Sequence, residues 1–90
     1  MTTPQSADPF ANVPTALVYD TFTETANQLT ARYTQLSDTA STPEERERWW
    51  QKVLELRTVK RAVPAADRDQ LIAHVQGWKA ELAGLKGDRG

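Results

Sequence analysis

With 90 residues, no cysteine and one histidine, the chain has room for one small domain. It lacks the side chains for disulfides, thiolate chemistry or a histidine-built metal site. Its net charge of −1 sets up no overall field toward nucleic acid or an anionic membrane.

A domain of this size buries only about 60–65% of its unfolded surface. Of the usual supports for so thin a margin, association with another chain is the one left open.

The first twelve residues, MTTPQSADPFAN, hold two prolines and one large apolar side chain, Phe10. They offer too little apolar surface to offset the entropy of ordering, so residues 1–12 are expected to form a disordered tail. Docking of Phe10 on the body is the alternative. The stretch has neither the basic start nor the apolar centre of a signal peptide. No apolar run approaches the roughly 20 residues of a membrane span. A cytoplasmic location is therefore the default expectation, with no membrane partner.

Pro14 suits the first position of a helix. Beyond it Tyr19, Phe22, Ala26, Leu29, Tyr33, Leu36 and Ala40 alternate in steps of three and four. That stripe predicts a first helix over residues 14–38. Thr21, Thr23, Thr25, Thr30 and Thr34 weaken it, because a branched side chain loses χ1 freedom in a helix. LVYDTFT could alternate as a strand, but no other segment could pair with it.

The second helix has the clearest start. TPEE, residues 42–45, is a capping box with Pro43 in the first turn. Glu44, Glu45 and Glu47 then sit at the positive end of the helix dipole, and Arg57, Lys60 and Arg61 at its negative end. Val63 precedes Pro64 and is pushed out of helical geometry, which bounds this helix to residues 43–62. A third follows over about 65–86, opened by Pro64 or by Asp67, whose spacing to Gln70 resembles another capping box. Leu71, Val75, Trp78, Leu82 and Leu85 are its stripe. Gly84 or Gly87 ends it.

Short links make consecutive helices antiparallel, so the predicted fold is an all-α, up-down-up three-helix bundle over residues 13–87. Counting outward from the two turns sets Trp50 opposite Trp78 and Ala31, and Val53 opposite Val75 and Gln28. Tyr33, one of Trp49 and Trp50, and Trp78 should share a layer. Trp49, Trp50, Val53, Leu54, Leu56, Val59 and Val63 spread over about 220° of the second helix, against the usual ~100° stripe. Helix 2 is therefore expected to be the central strut.

The width of that face supplies the leading candidate site: Trp50 and Leu54 on one flank, with Trp49 and Val59 as further partner-binding residues. An exposed Trp–Leu pair would anchor a second copy or another protein. Burial against helix 1 or helix 3 is the plainer outcome. A second candidate is the basic cluster at the helix 2–helix 3 corner, where Arg57, Lys60, Arg61 and Arg68, with Lys52 nearby, could contact phosphates. Dipole complementarity and pairing with Asp67, Asp69 and Glu55 is the alternative there. AADRDQ, with two acids to one base, suits a recognition helix poorly. Lys60 interrupts an apolar stripe and should reach Asp20 or Asp67. His74 reads as a boundary residue, and Gly77 as a mid-helix cost or a site of close packing.

No phosphate loop, dinucleotide fingerprint, zinc spacing or carboxylate pair is present, so no enzyme activity, metal or cofactor is expected. The function expected is a small non-enzymatic helical interaction module, such as an adaptor, inhibitor or assembly factor, that self-associates as a homodimer. The alternative is a nucleic-acid-binding regulator.

Overall fold

The computed structural model describes residues 10–87 and contains three helices: α1 (Thr15–Asp38), α2 (Pro43–Ala62) and α3 (Arg68–Gly87). The fold is the all-α three-helix bundle. Residues 1–9, most of the expected tail, lie outside the described residues. Residues 10–12 depart from that expectation. They form a turn, and Phe10 packs on the core. Arg68 of α3 supplies the energy that a short polar segment lacks by itself. Its guanidinium donates to the Phe10 carbonyl, to the Val13 carbonyl at 2.6 Å and to the Thr15 hydroxyl at 3.3 Å.

Local chemistry sets most boundaries. Pro14 caps α1, its carbonyl taking the first intrahelical bonds from Leu17 and Val18 at 3.0 Å. The Thr42 hydroxyl accepts from the Glu45 amide at 3.0 Å, as a capping box requires. Val63 is extended, as expected before proline, and turns its side chain into the core.

α3 starts three residues later than predicted. Residues 64–67 make a turn closed by the Asp67 amide on the Pro64 carbonyl at 3.1 Å. Asp67 then caps α3, accepting from the Gln70 amide at 3.2 Å and from Gln70 Nε2 at 2.6 Å. A capping residue lies outside helical geometry, so Asp67 forces the helix to begin after it.

Direction follows from the cross-helix contacts. Trp49 meets Tyr33 and Lys60 meets Asn27, so α2 runs antiparallel to α1. Arg68 meets Thr15 and Glu81 meets Tyr33, so α3 runs parallel to α1. That is the up-down-up order.

The central strut, however, is α1 and not α2. α1 packs on both other helices, whose backbones do not touch each other. The reason lies in the width of the α1 face. Val18, Phe22, Thr25, Ala26, Leu29, Tyr33 and Ser37 are all buried, whereas α2 buries only Val53 and Leu56. Thr25 beside Ala26 widens the buried stripe of α1. Sequence periodicity caught Ala26 but counted Thr25 as polar.

The core has two linked parts. Val18, Phe22, Val63, Leu71 and Val75 form one, and Ala26, Leu29, Tyr33, Val53 and Leu56 the other. Trp78 packs against both. The α2 and α3 backbones do not approach each other, and Trp78 does not face Trp50. It lies on Phe22, with ring centroids 5.0 Å apart.

Candidate functional site

Trp49 and Trp50 leave α2 about 100° apart. Trp49 is half-buried and stacks on Tyr33, with centroids 5.8 Å apart and planes 28° from parallel. Trp50 is 41% exposed, one of two large apolar side chains so exposed among the described residues; the other is Leu17. Leu54, one turn along the same flank, is half-buried. Val59 lies on the opposite flank, packed against the first core cluster. Trp49 and Val59 thus pack on the core clusters, Leu54 is half-buried, and Trp50 remains at the surface.

Two of the grooves that border α1 bear on the placement of Trp50. One opens between α2 and α3 and is lined by Tyr33, Lys52, Glu55, Val59 and Trp78 among others, but holds only about 130 Å³. The other runs between α1 and α3 and holds about 640 Å³. Its floor is Ala31, Leu82 and Ala83, and its polar rim includes Gln28, Arg32, Gln35 and Lys79. Ala31 and Gln35 project from the side of α1 opposite Leu29 and Tyr33, so this larger groove is on the face turned away from the α2–α3 cleft. Trp50 points to that same face, since Lys52 and Val59 occupy the cleft side of α2. The exposed indole and the larger groove therefore border the outer face of α1 from opposite sides.

The basic cluster divides. Arg57, Lys60 and Arg61 come together with Tyr19 around a pocket of about 300 Å³. The Lys60 ammonium donates to Asn27 Oδ1 at 3.0 Å, not to Asp20 or Asp67 as expected. Asp67 is committed to capping α3. Arg68 is committed to the N-terminal turn, and Lys52 sits 5.8 Å from the centroid of the Tyr33 ring.

Tyr33 touches side chains of both other helices. Its hydroxyl donates to a Glu81 carboxylate oxygen at 2.8 Å. Burial, then that hydrogen bond and the nearby charges of Glu81 and Glu55, hold its phenol well above the ordinary tyrosine range. His74 stacks on Trp78 at 5.2 Å and meets Phe22 edge-on, a half-buried aromatic position.

Sequence reasoning missed Tyr19 as a pocket wall and Glu81 as a core-edge acceptor. Glu81 carried a signal: it lies three residues after Trp78, on the side of α3 that carries the stripe. The larger groove carried none, because it exists only where two helices meet.

Among the described residues no group of three or more His, Cys, Asp or Glu could hold a metal ion, and no helix is long and apolar enough to cross a membrane. Comparison of the chain with protein-family models, curated proteins and solved structures finds no match.

Proposed function

We propose that this chain is a small non-enzymatic interaction module that pairs with a second copy of itself through the outer face of α1. The exposure of Trp50 carries the reading. Tryptophan is enriched among the residues that dominate binding energy, and leaving one at the surface of a small domain costs apolar burial it could otherwise use.

The placement of the groove supports self-pairing over capture of an unrelated protein. A two-fold interface must be self-complementary, each knob meeting a hole on the other copy. Trp50 and the α1–α3 groove border one face from opposite sides, so a two-fold axis along α1 sets each indole over the other copy's groove. The near-neutral net charge raises no barrier to two copies meeting.

The test is mass in solution by analytical ultracentrifugation over a concentration series. Wild type should sediment as a dimer at the upper concentrations. Trp50→Ala and, independently, Ala83→Glu in the groove should both sediment as folded monomers. A wild type that stays monomeric throughout, or a dimer indifferent to both substitutions, would end this reading.

A further inference from the structure

Arg57, Lys60 and Arg61 of α2 and Tyr19 of α1 border an open pocket of about 300 Å³ whose lining contains no carboxylate. Dipole complementarity explains Lys60 and Arg61, which lie in the last turn of α2. It does not reach Arg57, because the effect fades within that turn. Arg57 and Arg61 stand four residues apart, a spacing at which like charges repel. Both are exposed, and neither has a hydrogen bond or ion pair with another described residue. Their donors are uncommitted, in contrast to those of Arg68.

The rest of the pocket is held in place. Lys60 is tied to α1 through Asn27, which uses one of its three donors and leaves two. Tyr19 is half-buried and its ring stacks on Phe22 at 6.0 Å, so that wall is anchored to the core.

We infer that this pocket binds the phosphoryl group of a phosphate-bearing ligand. Two guanidinium forks match the oxygens of a phosphoryl group, and an ammonium adds a point charge. The tyrosine wall offers a flat surface to the organic part of the ligand. The volume suits one phosphoryl group and a small substituent. A duplex tract would need a longer run of cations, and Arg68 is already spent on the N-terminal turn. The site lies within one chain, so it stands or falls separately from pairing through Trp50.

The experiment is a two-dimensional NMR titration of the labelled chain with inorganic phosphate at constant ionic strength. Phenyl phosphate and a short single-stranded oligonucleotide form parallel arms. Shifts at Arg57, Lys60, Arg61 and Tyr19 should saturate, and Arg57→Gln and Arg61→Gln should each weaken binding about tenfold. Arg48→Gln, at an exposed cation of α2 outside the pocket lining, should leave the titration unchanged. Whether phenyl phosphate or the oligonucleotide binds more tightly distinguishes a small ester from a nucleic-acid backbone as the source of the phosphate. Either result supports the site if Arg57→Gln abolishes the preference. Shifts that grow linearly without saturating, or saturation indifferent to both arginine variants, overturn it. Circular dichroism of the variants guards against misfolding, which is not expected at two exposed positions.

Discussion

The hydroxyl of Tyr33 on α1 donates to the carboxylate of Glu81 on α3 at 2.8 Å, across 48 positions of sequence. The same ring carries Trp49 of α2 on its face. Tyr33 thereby joins all three helices at a level where α2 and α3 have no backbone contact of their own. Removing the hydroxyl leaves a half-buried carboxylate without this donor. Tyr33→Phe should cost about 1.5–3 kcal/mol in urea denaturation, the range for a hydrogen bond to a charged group. Glu81→Gln should cost less, since an amide oxygen can still accept.

The same residue sets a pH response. The folded-state pKa of Tyr33 is raised above its ordinary value of 10.0, first by burial. A group shifted upward contributes stability that is fully present below the unfolded pKa and lost as pH rises through the folded one. Wild type should therefore lose stability above about pH 10, and Tyr33→Phe should lose less over the same window. Alkaline absorbance titration checks the cause: one of the two tyrosines should ionise only as the chain unfolds.

Adjacent tryptophans should behave as different residues. Trp49→Ala removes a half-buried ring stacked on Tyr33 and should destabilise the fold by about 2–3 kcal/mol, below the range for a fully buried aromatic. Trp50→Ala should cost less than about 1 kcal/mol in dilute solution, where its effect is on association. Chemical denaturation at low protein concentration separates the two.

Arg68 should prove to be the residue that orders the N-terminal turn. Arg68→Met keeps much of the stem and removes the donors to Phe10, Val13 and Thr15, at a cost of about 2 kcal/mol. The Val13 amide, bonded to the Phe10 carbonyl at 3.1 Å, should then exchange with solvent faster. Arg68→Lys should not restore protection, because an ammonium cannot reproduce the fork. Hydrogen exchange at Val13 reads both outcomes.

Gly77 and Gly84 should be replaceable. A Cβ built at either meets nothing within 4 Å, and both lie inside α3. Gly77→Ala and Gly84→Ala should each raise stability by about 0.5–1 kcal/mol, the helix-propensity gain. A loss of stability in thermal melts at Gly77→Ala would instead reveal a close backbone approach there.

The number, length and order of the helices were legible because their signals are local. Thr42 with Glu45, Pro43 and the Val63–Pro64 step act within one turn of chain, and α2 falls on the predicted residues. The start of α3 was ambiguous between Pro64 and Asp67, and hydrogen bonding at Gln70 decided it. Exposure of Trp50 was an open alternative in the sequence, since one chain does not say which neighbour covers which flank.

Sequence alone determined that this chain makes three amphipathic helices and that α2 carries more apolar width than one seam can use. Tertiary structure decided that α1 stands at the centre, that Trp49 packs on the core while Trp50 stays exposed, and that three cations share a pocket with Tyr19. The reason is geometric. Periodicity reports which side of a helix is apolar, whereas the helix it meets depends on how closely two backbones approach. Thr25 and Ala26 are both buried on α1, and a hydrophobicity pattern weighs such small side chains too lightly.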